Sequence, residues 1–150
     1  MGIINQIPGA LILPAMQAAS KKEALRELAA AVHAAQPELD PEVLYTVLQD
    51  REALGSTGIG DGIAIPHGKI KGLATITICF GRSKQGIPFE ALDGKPAHLF
   101  FLLLAPAEVA APYLSCLAEL SRFLKNPQHR NRLLHAEGRE ELLAILAEAG

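Results

Sequence analysis

The apolar segment "LFFLLLA", residues 99–105, restricts the possible folds of this chain more than any other feature of its sequence. It is much shorter than the roughly 18 uninterrupted apolar residues that a membrane-spanning helix needs. An apolar run of this length is expected of a central strand that is covered on both faces. The segment therefore predicts an α/β domain in which helices pack on both sides of a sheet.

Helix signals occur before and after this strand. Ser20 precedes Glu23 at the spacing of a capping box, and apolar residues then recur at helical intervals, which predicts a helix from about Lys21 to Ala35. Asp40 followed by Pro41 predicts the start of a second helix, because an N-cap aspartate and a first-turn proline favour helix initiation. Three further helices are expected, one opened by Pro112, one over "PQHRNRLLH" and one over "REELLAILAEA".

Short strands complete the predicted domain. Residues 11–13 and residues 63–65 are expected to form strands, and the alternation in "ATITICF", residues 74–80, predicts a strand with one face better buried than the other. The sequence shows no internal repeat, low-complexity tract or linker. We therefore expect one α/β domain over residues 1–150, a small central mixed β-sheet flanked by helices on both faces.

Charge and cysteine content limit the kinds of partner and the compartment. The formal net charge is −2, so the chain offers no general electrostatic attraction to nucleic acid or to an anionic membrane. Cys79 and Cys116 lie within apolar patterns, which predicts buried thiols in a reducing compartment. The apolar N-terminus lacks a basic segment and is interrupted by Pro8 and Pro14, unlike a signal peptide. These features predict a soluble, cytoplasmic protein that does not insert into a membrane.

The segment "GSTGIGDGIAIPHGK", residues 55–69, presents a single histidine, His67, after a glycine-rich stretch. Glycines permit backbone turns that other residues resist, and they leave amide groups uncovered by side chains. Pro66 fixes its own φ and favours an extended residue before it, so His67 should leave a strand end in a defined direction. Gly68 should allow a bulky group to approach the ring. Binding sites in α/β sheets usually form at such strand ends.

Several known motifs do not fit this segment. A dinucleotide-binding fingerprint would use Gly58 and Gly60, but Ile63 occupies its third glycine position. A P-loop needs four residues between its glycines, whereas Gly62 and Gly68 are separated by five. No ligand of a recurrent zinc site lies at the required spacing from the histidine, and a serine-hydrolase elbow is absent from the sequence.

A lone imidazole held in this way can act as a nucleophile, because neutral imidazole carries a lone pair near pH 7. A phosphoryl acceptor of this kind needs little beyond positioning and charge stabilisation. Bare amides of the glycine-rich loop can bind phosphate oxygens, and a guanidinium such as that of Arg51 can neutralise them. The alternative is that His67 simply ends a strand and that the glycines form a tight turn.

Two segments, "REALGSTGIGDGIAIPHGK" and "GIPFEALDGKPAHLFFLLLAP", closely resemble consecutive blocks of a known family. They are similar to the enzyme IIA (EIIA) domains of the bacterial phosphotransferase system, in the fructose/mannitol (type 2) group. The resemblance covers roughly residues 11–147. The combination of "GSTGIG" and "IAIPHGK" is most similar to the nitrogen-regulatory, PtsN-like branch of that family.

The resemblance implies a phosphotransferase that acts through a phosphohistidine intermediate. His67 aligns with the histidine that accepts phosphate from the small carrier HPr or from its nitrogen-branch relative NPr. Arg51 matches the arginine that steadies the phosphate, whereas Asp61 matches a variable loop position whose role the resemblance does not define. The family requires neither a metal nor an organic cofactor.

One position departs from the family pattern. In "APAEVAAPYLSCL", Tyr113 stands where the family often carries a second histidine. A tyrosine can donate a hydrogen bond to phosphate but cannot become a cation, so we expect a less stabilised phosphohistidine than in relatives with histidine. Ser56, Thr57 and the Gly58 amide are further candidates, either as phosphate ligands or as supports of the loop.

Three functions remain open from the sequence. The first is a IIA component of sugar transport that passes phosphate from the carrier to a IIB domain. The second is a regulatory protein whose phosphorylation decides which partners it contacts. The third is an interaction module that keeps the fold but accepts no phosphate. The absence of a fused IIB or IIC domain favours the regulatory function, which we expect for this chain.

Overall fold

The computed structural model describes residues 7–108 and 111–148, and within them the chain forms five helices and six strands. A short 3-10 turn, Gly9–Leu11, precedes the first strand. The helices are α1 (Lys21–Ala35), α2 (Pro41–Ala53), α3 (Ala111–Lys125), α4 (Pro127–His135) and α5 (Arg139–Ala147). The strands are β1 (Ile12–Leu13), β2 (Gly58–Gly60), β3 (Ile63–Ala64), β4 (His67–Ile70), β5 (Thr77–Ile87) and β6 (Ala97–Pro106).

The five predicted helices are confirmed, and local capping explains where the first two begin. The Ser20 hydroxyl accepts a hydrogen bond from the Glu23 amide, which fixes the start of α1. The Asp40 carboxylate accepts from the Glu42 amide, and Pro41 follows in the first turn of α2. The last residue predicted for α5, Ala149, lies outside the described residues. None of the helices described is long and apolar enough to cross a membrane.

The strands form one mixed sheet in the order β1-β5-β6-β3-β2, and β4 also pairs with β6. Strands β3 and β4 run parallel to β6, whereas β5 runs antiparallel to it. The apolar run of residues 99–105 lies in β6 and is almost completely buried. The prediction of a central strand is therefore confirmed.

Neighbouring residues of β5 show that helices cover both faces of the sheet. A Cβ atom on Gly81 would lie 3.3 Å from Leu28 of α1. The side chain of the next residue, Arg82, points to the opposite face and donates a hydrogen bond to the Leu133 carbonyl of α4, at 3.0 Å. Because α1 and α4 lie on opposite faces, the predicted α/β architecture is confirmed.

Two kinds of error occur in the strand predictions, in strand bounds and in a burial pattern. Among the bounds, β3 ends at Ala64 rather than at residue 65, and β5 covers Thr77–Ile87 rather than residues 74–80. Leu11 belongs to the 3-10 turn, so the first strand starts at Ile12 rather than at residue 11. The second error concerns β5, in which Thr77 and Cys79 are buried as fully as the apolar residues between and after them. One face was expected to be better buried than the other, but helices on both faces of the sheet exclude water from both sides of this strand. Both cysteines, Cys79 and Cys116, are free and buried, as predicted.

Strands β3 and β4 behave as one strand that is interrupted by a proline. Ile63 lies beside Leu99 and His67 lies beside Leu103, so the register along β6 is the same on both sides of the interruption. Pro66 has no amide hydrogen for the ladder, although its carbonyl accepts from the Leu103 amide at 2.9 Å. His67 therefore starts β4 immediately after a rigid break in the strand.

Candidate active site around His67

Two hydrogen bonds fix the ring of His67. Its Nδ1 atom lies 2.8 Å from the Ile65 carbonyl oxygen, and its Nε2 atom lies 3.0 Å from Nε of Arg51. A carbonyl can only accept, so Nδ1 carries the proton and donates it. The guanidinium can only donate, so Nε2 presents its lone pair. The ring is therefore a neutral imidazole whose unprotonated nitrogen faces Arg51.

Arg51 is held in place by the end of its own helix. It lies in the last turn of α2, and its terminal Nη1 atom donates to the Gly55 carbonyl oxygen at 2.9 Å. Gly55 has a φ of 152°, which is accessible mainly to glycine. The turn after α2 thus provides the acceptor that orients the guanidinium, and Nε is left to face His67.

The histidine lies in an open depression with a volume of about 410 Å³, here called the His67 depression. It includes Tyr113 of α3, whose ring centroid lies 5.4 Å from that of His67 at an interplanar angle of 46°. Of the residues that the structure describes, those that line the His67 depression are Val47, Asp50, Arg51, Leu54, His67, Gly68, Lys69 and Tyr113.

The surroundings of His67 favour its neutral form. Burial lowers the pKa of His67 below its ordinary value, and the positive charge of Arg51 acts in the same direction. The hydrogen bond to the Ile65 carbonyl and the negative charge of Glu52 oppose this shift without reversing it. Burial also raises the pKa of Tyr113, so its phenol remains a neutral hydrogen-bond donor.

Gly68 lines the His67 depression and also has a packing role that the sequence did not indicate. The glycine was expected to give a bulky group access to the histidine ring. A Cβ atom at this position would collide with Cγ1 of Val47, on α2. The glycine therefore allows α2 to pack directly against β4, which brings Arg51 within hydrogen-bonding distance of His67.

Ser56, Thr57 and Gly58 support the turn after α2 and do not line the His67 depression. The Ser56 hydroxyl donates to the Phe89 carbonyl at 2.7 Å and accepts from the Gly58 amide at 3.0 Å. Thr57 is buried, and both its amide and its hydroxyl donate to the carboxylate of Glu52. Ser56 and Thr57 thus hold the turn through side-chain hydrogen bonds, and Gly58 holds it through its backbone amide.

Asp61 lies in the tight turn between β2 and β3 and has a φ of 57°. Its amide donates to Oδ2 of Asp93 at 3.1 Å, and its own side chain is exposed. The turn precedes β3, whereas His67 follows that strand, so the two residues lie at opposite ends of β3. The structure does not bring Asp61 to the His67 depression.

Sequence reasoning missed Glu52, the buried carboxylate next to Arg51. Its side chain is only 4% exposed and lies 3.0 Å from the ammonium of Lys21 on α1. A signal was present, because Leu44, Leu48 and Glu52 follow one another at intervals of four residues on the buried stripe of α2. A carboxylate that continues an apolar stripe must find a partner, and this partner lies in another helix.

No group of three or more His, Cys, Asp or Glu side chains suited to a metal ion occurs among residues 7–108 and 111–148. The arrangement around His67 instead joins a nucleophilic nitrogen, the guanidinium of Arg51 and a neutral phenol, and the charged side chains of Asp50 and Lys69 also line the depression. These groups can accept and hold an anionic, electrophilic group at Nε2.

Comparison with known proteins gives a consistent family. The family model described as "Phosphoenolpyruvate-dependent sugar phosphotransferase system, EIIA 2" matches residues 6–149. A nitrogen regulatory protein of Bradyrhizobium diazoefficiens is 39% identical over 147 residues, which cover 98% of this chain and 95% of that protein. A fructose-specific EIIA component of Haloferax volcanii is 40% identical over 109 residues, which cover 73% of this chain and 71% of that protein.

The fold also matches a solved structure over nearly its whole length. The crystal structure of the nitrogen regulatory protein IIA-Ntr from Neisseria meningitidis superposes with a TM-score of 0.88 at 34% sequence identity. The match covers 97% of this chain and 99% of that one.

Proposed function

Since the chain belongs to the EIIA 2 family of the phosphoenolpyruvate-dependent sugar phosphotransferase system, we propose that His67 accepts a phosphoryl group from a phosphocarrier protein and that this modification regulates partner proteins. One observation carries the proposal. The Ile65 carbonyl holds the proton on Nδ1, so Nε2 presents a lone pair beside a fixed guanidinium at an open depression.

The proposed step is a direct exchange of one N–P bond for another. The Nε2 lone pair of His67 attacks the phosphorus of a phosphohistidine on the carrier. A bond forms between Nε2 and phosphorus, the carrier's N–P bond breaks, and its electron pair returns to the carrier imidazole. The Nδ1 proton stays on His67, where the Ile65 carbonyl stabilises the positive charge that the ring acquires.

Arg51 and Tyr113 act on the phosphoryl oxygens. Before transfer, Arg51 donates to the Nε2 lone pair, and after transfer that lone pair is part of the N–P bond. The same N–H then donates to a phosphoryl oxygen, as a charge-assisted hydrogen bond. Tyr113 adds a neutral hydrogen bond from its hydroxyl, because its ring already lies against that of His67. Ser56, Thr57 and Gly58 hold the turn after α2 rather than the phosphate, and Asp61 lies at the other end of β3, away from this site.

The carrier docks on the apolar rim of the His67 depression. Leu54 is 85% exposed at the end of α2, and Leu114, next to Tyr113 on α3, is 61% exposed. The net charge of −2 provides little long-range steering, so contact with these apolar side chains supplies the recognition. A small carrier of the HPr or NPr type, which presents a phosphohistidine in the cytoplasm, fits this surface.

The regulatory output follows from the change in charge. A phosphoryl group adds a charge of about −1.5 to −2 near pH 7 to this depression, whose lining combines apolar and charged side chains. A partner that covers Leu54 and Leu114 in the unphosphorylated form must then bury that charge or dissociate. The similarity to nitrogen regulatory proteins over almost the whole chain supports this output.

A second candidate is a IIA component of sugar transport that passes phosphate to a IIB domain. The similarity to a fructose-specific EIIA component, at 40% identity over 109 residues, favours it. The two candidates share the first step and differ in the fate of the phosphate.

Phosphotransfer assays test the proposal and separate the candidates. Purified, phosphorylated HPr-type and NPr-type carriers are incubated with the wild-type chain and with His67→Ala, and acid-labile phosphate is measured. We expect label on the wild type alone, no onward transfer to a fructose-type IIB domain, and partners that bind only one phosphorylation state. Rapid transfer to the IIB domain supports sugar transport instead. Absence of label from both carriers leaves a phosphate-silent interaction module and contradicts the proposal.

A further inference from the structure

Glu52 is a buried carboxylate that the proposed transfer step does not use. Its oxygens accept from the ammonium of Lys21 at 3.0 Å, from the Thr57 amide at 3.2 Å, and from the Thr57 hydroxyl. Burying a charge costs desolvation free energy, which is offset only when such partners surround the charge. The carboxylate therefore ties three points of the fold together, namely α1, α2 and the turn of residues 55–58.

The same turn is fastened on its other side to the segment that follows β5. The Ser56 hydroxyl donates to the Phe89 carbonyl, and Lys21, the partner of Glu52, also pairs with Glu90 at 3.0 Å and lies over the Phe89 ring at 4.9 Å. Burial disfavours the charge of Lys21, but its hydrogen bonds to Glu52 and Glu90 raise its pKa above the ordinary value. Lys21 is thus a permanent cation that anchors Glu52.

The turn leads directly to the arginine of the active site. The Gly55 carbonyl accepts from Nη1 of Arg51 at 2.9 Å, and the Gly55 amide donates to the backbone carbonyl of Glu52 at 3.1 Å. The orientation of this carbonyl depends on the path of the chain between Glu52 and Thr57. Glu52 fixes both ends of this path. Its backbone carbonyl accepts from the Gly55 amide, and its carboxylate accepts from the Thr57 amide.

Arg51 has few other constraints on its position. Its second contact is the hydrogen bond from Nε to His67, which is lost when the phosphoryl group occupies Nε2. After transfer the Gly55 carbonyl is therefore the protein contact that orients the guanidinium, whose Nε–H then donates to the phosphoryl oxygen. A turn that moved away would allow the long arginine side chain to adopt other rotamers in solvent.

We propose that Glu52 is a positioning residue for phosphoryl transfer: its carboxylate holds the turn of residues 55–58 so that the Gly55 carbonyl directs Arg51 toward Nε2 of His67. This inference rests on the proposed function, because it assigns Glu52 a role in the same transfer step. Glu52 makes no hydrogen bond to His67, on whose pKa its charge has a minor effect, and it positions Arg51 through Thr57 and Gly55.

The test compares Glu52→Gln with a matched control. Glu42→Gln removes another ion pair between α2 and α1, that of Glu42 with Arg26 at 2.6 Å, which is exposed and does not contact the turn. The Arg51 Nε–H resonance is followed in 1H–15N spectra of the unphosphorylated protein and is assigned by its loss in Arg51→Lys. The rate of phosphotransfer from a saturating, phosphorylated HPr-type carrier and the affinity for the unphosphorylated carrier are measured separately.

We expect Glu52→Gln to broaden or remove the Arg51 Nε–H resonance and to slow transfer by about tenfold, the order of one lost charge-assisted hydrogen bond, at unchanged carrier affinity. Glu42→Gln should keep both the resonance and the rate. If Glu52→Gln is folded and retains the wild-type resonance and a rate within twofold, Glu52 has only a structural role and the inference is wrong. The resonance requires no phosphate, so this result is distinct from failure of the proposed function, in which the wild type itself accepts none.

A second variant covers the case in which Glu52→Gln does not fold. Thr57→Val removes the hydroxyl that donates to Glu52 and leaves the carboxylate paired with Lys21. We expect a weaker effect in the same direction, with a partly broadened Arg51 resonance and transfer slowed by about threefold. An unchanged resonance together with an unchanged rate in this variant would also overturn the inference.

Discussion

Nε of Arg51 donates a hydrogen bond to Nε2 of His67 at 3.0 Å, so a permanent cation occupies the direction of the only lone pair on the ring. This contact has two consequences. It favours the unprotonated form of Nε2, because a proton on that nitrogen would face the positively charged guanidinium, which has no acceptor. It also places a strong anion ligand beside Nε2, where the oxygens of the proposed phosphoryl group would lie. In the proposed transfer, this pair would serve both nucleophilic attack and binding of the product.

The first prediction concerns the titration of His67. Burial and the charge of Arg51 lower its pKa, so an NMR titration of the ring should give a midpoint below the ordinary value of about 6.5. Arg51→Gln should raise this midpoint. Between the folded and unfolded pKa values the unfolded chain binds more protons, so the contribution of His67 to the free energy of unfolding increases with pH there and falls on acidification. A midpoint at or above that of an exposed histidine would contradict this description.

The second prediction concerns Tyr113. Replacement by histidine offers a charge-assisted hydrogen bond in place of a neutral one, so Tyr113→His should lengthen the phosphohistidine half-life by about threefold to tenfold. Tyr113→Phe removes the hydroxyl but keeps the ring against His67, and it should shorten the half-life. The decay of acid-labile phosphate is followed in the wild type and the two variants, and it gives the three half-lives to be compared. Equal half-lives would show that this position does not contact the phosphate.

The third prediction concerns carrier docking. Leu54→Asp places a charge on the apolar rim of the His67 depression and should raise the Kd for the carrier by about tenfold, as for a central interface residue. Leu92→Asp is the matched control, because Leu92 is 83% exposed, much like Leu54, and does not line the depression. Titration calorimetry with an unphosphorylated carrier measures both. An equal effect of the two variants would remove the docking assignment.

The fourth prediction concerns the contact between β4 and α2. Gly68→Ala places a methyl group against Val47 and should lower the free energy of unfolding by about 1–3 kcal/mol, the usual range for overpacking. The double variant Gly68→Ala/Val47→Ala should recover most of this loss, because the second change removes the colliding methyl group. Denaturant unfolding of the wild type, both single variants and the double variant gives the coupling free energy between the two positions. Additive losses in the double variant would contradict the proposed contact.

Local signals in the sequence were sufficient for most of the fold. The N-cap at Ser20 and the Asp40–Pro41 pair set the starts of α1 and α2 through hydrogen bonds within a few residues. The apolar run in β6 identified the central strand, because a strand that is buried on both faces carries apolar residues at successive positions. These features depend on nearby residues, and they were predictable for that reason.

The errors and omissions depend on contacts between distant parts of the chain. Strand β5 extends through the polar residues 83–86 to Ile87 because Ile87 pairs with Ala97, which its local pattern does not indicate. The partner of Glu52 lies 31 positions away at Lys21, and Gly68 faces a helix that precedes it by about twenty residues. At the site, His67 and Arg51 were identified from the glycine-rich segment and its family resemblance, whereas the turn that orients Arg51 required the structure.

The central claim is that the neutral Nε2 atom of His67 forms the bond to phosphorus. Protein labelled with 15N in its histidine rings is phosphorylated with an HPr-type carrier, and coupling between 31P and the ring nitrogens is measured. The account predicts coupling to Nε2 of His67, with the proton retained on Nδ1. Coupling to Nδ1, or a phosphoryl group on any other residue, would contradict it.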